Sequence, residues 1–347
     1  MKRKMSLWSI VMCLLCLVVV LATASTLGCK PTPTPPVEKI HMIASFDVPP
    51  TGPDAEALID LLNTWKEATG GVLEYDAHWS GELYNDVDGV QATSTGAIQM
   101  AGGAGYCFEG FEPRYAIFNA PLLFDNIDHC TRFADTTEWL GPTSSALAKN
   151  HLKLLPTVSI FPLRWAGSFP FTDVSDLKGK EFRVMASPTL VRAVELCGAK
   201  PVQVASAELA VAMQTGMMDC LTMGSDVGFM DMFQYHRYFP YAIMEPGFVT
   251  MTADYVVNLD WWNSIPKDLR DKMEAALPAW AERSRKVLKQ ANEDEAYAYM
   301  KKNFKEAIIL SPEKAAEWRA VVKPIYDELA AEIGQDLFNA IERTRAK

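Results

Sequence analysis

Histidine is scarce in this chain, with five in 347 residues. His41, His78, His129, His151 and His236 fall at no spacing that brings two of them onto one metal ion. They read as surface or loop residues. Beyond residue 28 no CxxC pair occurs, and there is no GxSxG elbow, HExxH helix or Walker loop. Gly102-Gly-Ala-Gly105 follows a predicted strand, but the next glycine, Gly110, is wrongly spaced for a dinucleotide loop. That segment reads as a turn beside a cleft. No catalytic residue, cofactor or metal site is therefore expected. Basic charge is in deficit too: 33 Lys and Arg stand against 43 Asp and Glu, a formal net charge of −10. An acidic body excludes nucleic acid and an anionic membrane surface as partners. An anionic ligand would need a locally basic pocket. Internal repeats are absent.

What remains is an ordinary globular composition, 49% hydrophobic and 22% charged. The length is enough for two lobes with separate cores. Residues 1–28 read as a leader: Lys2-Arg3-Lys4, an apolar stretch from Leu7 to Ala22, then Thr26-Leu-Gly-Cys29. Cys29 is the candidate for lipidation, although Thr26 departs from the usual lipoprotein box. An ordinary signal peptide, or an uncleaved anchor, is the competing reading. Residues 29–39 contain Lys30-Pro-Thr-Pro-Thr-Pro-Pro, an extended spacer. Cys107, Cys130, Cys197 and Cys220 are widely separated and read as buried small hydrophobes.

Beyond the linker, strand and helix patterns alternate. Ile40–Ser45 and Val72–His78 read as strands around an amphipathic helix over 54–68, with Leu58, Leu61, Leu62 and Trp65 on one face. Such alternation implies a parallel α/β sheet. Leu152–Trp165 reads as one long strand between lobes, and Phe248–Val257 as its return. Ser187-Pro188 starts a helix that Gly198 closes. Residues 266–302 read as helix, kinked at Pro278. Gln234, Tyr235 and His236 read as a helix surface.

The stretch from Arg164 to Asp219 carries the most specific signal. It contains Arg164-Trp-Ala-Gly-Ser, Asp176-Leu-Lys-Gly-Lys-Glu-Phe-Arg183-Val, Gly198-Ala-Lys-Pro-Val and Gln214-Thr-Gly216-Met-Met-Asp219. Their order and spacing resemble the DctP-type extracytoplasmic solute receptors of TRAP transporters, and the resemblance extends over about residues 40–340. It implies a two-lobed periplasmic-binding-protein-like α/β fold (type II), with strands crossing between the lobes. On this reading, lobe I is 40–160 plus 250–285 and lobe II is 161–249. Residues 286–347 form a C-terminal helical segment packing across the lobes.

The resemblance also implies that Arg183 clamps a ligand carboxylate. A planar guanidinium fork suits that task and cannot lose its proton. Read without the motif, Arg183 would be a surface or interdomain ion pair. Arg164 matches a looser second arginine, with an ion pair and a ligand contact equally credible. Gln214, Gly216 and Asp219 read as mostly structural, with Gln214 kept as a candidate contact. After Asp219 the chain departs from its relatives: Cys220 replaces a common Gly, and Thr222-Met223 stands where some carry a carboxylate. That disfavours a metal-assisted or polyhydroxylated ligand. Trp79, Tyr106, Phe108, Trp165 and Met223 are expected to line an apolar, aromatic cleft. Glu245-Pro-Gly247 resembles a hinge-shaping turn.

The implied function is capture of an organic acid with an apolar or aromatic body, and its delivery to a TRAP membrane permease driven by an ion gradient. The protein would be periplasmic and lipid-tethered. A ligand-presenting sensory receptor, or an enzyme on the same two-lobed fold, are the alternatives.

Overall fold

The computed structural model describes residues 38–224 and 226–345. Residues 40–347 belong to one compact unit, and it is this unit that carries the site. The leader, Cys29 and most of the linker lie outside the described residues.

Eleven strands join into one sheet: β1 (Ile40–Phe46), β2 (Leu73–His78), β3 (Met100–Ala104), β4 (Leu152–Leu154), β5 (Ser159–Gly167), β6 (Glu181–Val184), β7 (Lys200–Gln203), β8 (Cys220–Met223), β9 (Tyr241–Glu245), β10 (Val249–Asn258) and β11 (Glu306–Ile309). The main path runs β2-β1-β3-β10-β5-β8-β6-β7. β1 pairs in parallel with β2 and β3, and β6 pairs in parallel with β7 and β8. Two long antiparallel strands join these halves. β10 pairs with β3 over Ala253–Val257 and with β5 over Val249–Ala253. β5 leaves β10 at Leu163 and pairs with β8 from Arg164 to Gly167. The sheet is thus mixed, with a parallel block at each end and two shared strands between.

The single strand expected over Leu152–Trp165 is two, β4 and β5. Pro156 sits in the break and has no N–H to give to a ladder. Both segments still pair with β10.

Helix packing fixes the first block. Helix Pro53–Ala68 buries Leu58, Leu61, Leu62 and Trp65. Indole N–H bonds tie it to helix Lys267–Gln290: Trp65 Nε1 donates to the Met273 carbonyl at 3.1 Å, and Trp280 Nε1 to the Ala57 carbonyl at 2.8 Å. That second helix runs through Pro278, then passes a π-turn at Ala291–Glu295 into helix Ala296–Asn303.

Helix Pro312–Ile333 touches chain from both blocks. Arg319 Nε donates to the Leu122 carbonyl and Trp318 Nε1 to the Thr172 carbonyl, while the Trp318 ring meets Trp165 edge-on at 4.6 Å. The four described cysteines are free and buried. His129 is not a surface residue: it is wholly buried, accepting from Asp125 N and facing the Ile341 carbonyl at 3.0 Å.

Candidate functional site

The parallel strands of both blocks end around one cavity of about 120 Å³. Crevices beyond the carboxyl ends of parallel strands are the usual ligand position in open α/β sheets. Phe46, Asp47 and Val48 reach it from the end of β1, and Gly102, Gly103 and Ala104 from the end of β3. Arg183 and Met185 come from the end of β6, and Gly224 and Asp226 from just beyond β8. The crossing strands form its floor with Phe161 and Leu163 of β5 and Met251, Ala253 and Tyr255 of β10. Helix Val227–Phe233 and the turn after it add Phe229, Phe233 and Tyr235.

Glycine at 102 is a packing requirement. A Cβ there would collide with the Tyr255 ring and the Asp254 carbonyl, so only Gly lets β3 lie this close to β10.

Arg183 is 3% exposed. Its Nε and Nη2 both donate to the Val204 carbonyl, at 3.0 and 2.7 Å, and Nη1 reaches the Thr222 carbonyl only at 3.4 Å. One side of the fork is thus held by backbone, which sets the plane of the guanidinium. Among the described residues no carboxylate forms an ion pair with it. Burial pulls its pKa below the ordinary arginine value, with Tyr235, Tyr106 and Asp86 opposing that shift. A buried cation without an anionic partner is costly in a folded protein, and an arriving anion would relieve the cost.

Tyr106 also lines the cavity, and its hydroxyl donates to Asp86 Oδ2. The other sequence candidates lie elsewhere. Arg164 is fully buried on the opposite side of β5, donating to the Met244 and Asn292 carbonyls and stacking over the Tyr297 ring at 4.9 Å. Desolvation lowers its pKa to about 10, against the raising influence of Glu245 and Glu293. Trp165 is packed among Phe248, Trp318, Phe182 and Phe171, beyond the cavity. Met223 pairs with Arg164 across β5–β8 and is buried in a core with Met230 and Met244. Gln214 is exposed at the end of helix Leu209–Gln214. Trp79 packs on Phe46 at 5.0 Å from behind the wall, and Phe108 stacks on Tyr115 at 4.9 Å in the core.

Several lining residues were not expected. Tyr235 is a buried wall residue, 2% exposed, and not part of a helix surface. Four aspartates also line the cavity: Asp47, Asp54, Asp86 and Asp226. Asp47 is pushed up to about 6, first by burial and then by the Asp86 charge. Asp54, in the first turn of helix Pro53–Ala68, is raised to about 7 by burial and by Asp226, against a 2.7 Å hydrogen bond from Ser159 Oγ. Asp226 is raised by burial, although it caps helix Val227–Phe233 by accepting from Phe229 N at 3.1 Å. Among the described residues no group of acids, histidines and cysteines is arranged to hold a metal ion. No helix there is long and apolar enough to cross a membrane.

Comparison with known proteins places this architecture. The family profile described as bacterial extracellular solute-binding protein, family 7, matches residues 45–333. The C4-dicarboxylate-binding periplasmic protein DctP of Vibrio cholerae is 26% identical over 310 residues, covering 88% of this chain and 89% of its own length. The protein of the same name from Rhodobacter capsulatus is 23% identical over 333 residues, covering 89% and 92%. A TRAP periplasmic solute-binding protein from Shewanella oneidensis, solved with succinate, superposes with a TM-score of 0.81 at 20% identity, covering 88% of this chain and 99% of that one. A Bordetella pertussis extracytoplasmic solute receptor that binds pyroglutamic acid gives 0.80 at 22%, covering 88% and 100%. The fold is therefore the two-lobed α/β fold of these receptors, and the chain belongs to bacterial extracellular solute-binding protein family 7, the DctP family of TRAP-type solute receptors.

Proposed function

We propose that the protein captures an organic acid in the cavity between its parallel blocks, with Arg183 clamping the carboxylate, and delivers it to a TRAP permease. It acts by binding and release, without turnover. The observation that carries this reading is the Arg183 guanidinium: buried, oriented by the Val204 carbonyl, and lacking an anionic partner among the described residues. Solved TRAP receptors with bound succinate and L-malate support an acid.

On this reading residues 40–160 with 250–285 move as one lobe and 161–249 as the other. β5 and β10 are the hinge strands, and residues 286–347 span both lobes. The protein works outside the cytoplasm, tethered through lipid on Cys29. A Cys29→Ser variant that stays with the membrane fraction would remove the tether.

The receptor reading is tested by thermal shift of the full-length protein against small diacids, 2-oxo, 2-hydroxy, branched-chain and aryl acids. A ligand that binds the folded state raises the melting temperature. A hit lost in Arg183→Ala supports the mechanism; a hit indifferent to Arg183→Ala refutes it.

A further inference from the structure

The cavity that holds Arg183 is otherwise acidic and aromatic. Asp47, Asp54, Asp86 and Asp226 face it, and among its described lining residues Arg183 is the lone cation. A dicarboxylate would place a second negative charge among these aspartates. Asp47 is half-buried, and no hydrogen bond or ion pair engages its carboxylate among the described residues. It stands close enough to Asp86 for the two charges to repel. Asp226 is 6% exposed, and its carboxylate accepts from a backbone N–H, with no cation paired to it among the described residues. Phe46, Tyr106, Phe229 and Tyr255 are among the rings around these acids, and aromatic faces attract cations. Among the described residues, buried carboxylates without cations and a buried arginine without an anion share one small space. Each is the complement that the other end of a zwitterion would supply.

We infer that the ligand is a zwitterionic amino acid with an apolar side chain, its carboxylate on Arg183 and its ammonium between Asp47 and Asp86. The inference rests on the receptor reading above and names the substrate class for that site. Asp47, Asp86 and Arg183 line the same small cavity, so a 2-amino acid, which carries its ammonium and carboxylate on one carbon, can present a charge to each side. The cavity volume of about 120 Å³ is of the order of the ~150 Å³ void that accepts benzene in an engineered core. That volume admits one small ligand, and walls that include Phe46, Phe161, Leu163 and Met251 favour an aliphatic or aryl side chain on it.

The test is calorimetric titration of the full-length protein with matched pairs: leucine against 4-methylpentanoate, phenylalanine against 3-phenylpropanoate, with succinate and malate as diacids. In one pair or more, the amino acid binds at least about tenfold more tightly than its desamino partner. Asp47→Asn, which breaks no side-chain hydrogen bond among the described residues, reduces amino-acid affinity by about tenfold and leaves or strengthens that of the desamino acid. A desamino acid or diacid that binds as tightly as the amino acid, or an Asp47→Asn variant that tightens every ligand, overturns the inference. In those outcomes loss of binding in Arg183→Met keeps the receptor reading intact. If no probe binds, or binding ignores Arg183, the receptor reading falls together with the inference.

Discussion

Replacing Arg183 by methionine separates what the residue does for the ligand from what it does for the fold. The wild-type guanidinium is 3% exposed and lacks an anionic partner among the described residues. Desolvating such a charge costs several kcal/mol. Against this stand two short bonds to the Val204 carbonyl, at 3.0 and 2.7 Å, each contributing about 1.5–3 kcal/mol as hydrogen bonds to a charged group. These terms nearly cancel. Methionine has a similar length and no charge, so it removes the desolvation cost together with the bonds. The Val204 carbonyl then loses its donors, at about 1–3 kcal/mol. The variant should therefore unfold within about 3 kcal/mol of wild type, seen as a melting temperature lowered by several degrees at most. Binding should respond very differently. Truncating one partner of a buried charged pair costs about 2–5 kcal/mol, or roughly 30- to 4,000-fold in affinity. Thermal melts without ligand, and calorimetry with an acid that binds wild type, give both numbers. Affinity within about threefold of wild type would refute the carboxylate clamp. A loss of more than about 4 kcal/mol in stability with binding retained would make Arg183 a structural residue.

Arg164 predicts the reverse pattern. Arg164→Met removes donors from the Met244 and Asn292 carbonyls and a stack on Tyr297, so stability should fall by about 2–4 kcal/mol while ligand affinity of the folded fraction is unchanged; weakened binding at full stability would contradict the placement outside the cavity. Glu109 is raised to about 7 by burial, against hydrogen bonds from Ser187 and Asn119. The folded state thus keeps a proton that the unfolded chain has released, and stability should decline as pH rises from the ordinary carboxylate range to about 7, by at most ~1.4 kcal/mol per pH unit for this group. Glu109→Gln should flatten that slope in melts run from pH 5 to 8, and an unchanged slope would exclude Glu109 as its source. Asp47, facing Asp86 with Tyr106 and Arg183 in the same wall, is held near 6. Protonation below that pH should tighten binding of a simple carboxylate and weaken that of an amino acid, as measured by titrations at pH 5 and 7.5. Parallel pH dependence for the two ligands would show that Asp47 does not sense the ligand's charge.

The motifs from Arg164 to Asp219 made the fold class legible through their resemblance to the DctP-type receptors, and that resemblance, not local spacing, singled out Arg183 as the candidate clamp. Of the two readings left open at Arg164, strand parity alone favours the structural one. Side chains alternate along a strand: Phe161 and Leu163 line the cavity, Trp165 follows on the same side of β5, and Arg164 must therefore face away. Trp165 shares the right face but lies past the point where β5 turns from β10 to β8, under Trp318. That helix packs there from more than a hundred residues away, and no local pattern announces it. The four aspartates escaped notice for a related reason. Asp47, Asp54, Asp86 and Asp226 sit in different turns and helix starts, where an acid is ordinary as a cap or as a complement to the helix dipole. Only the convergence of β1, β3 and β8 on one crevice turns four unremarkable caps and loop residues into the wall of a binding site. What a local pattern predicts is a residue's role in its own element. The charge of this cavity is a property of the topology, so the second charged group proposed for the ligand rests on the assembled walls and on no single motif.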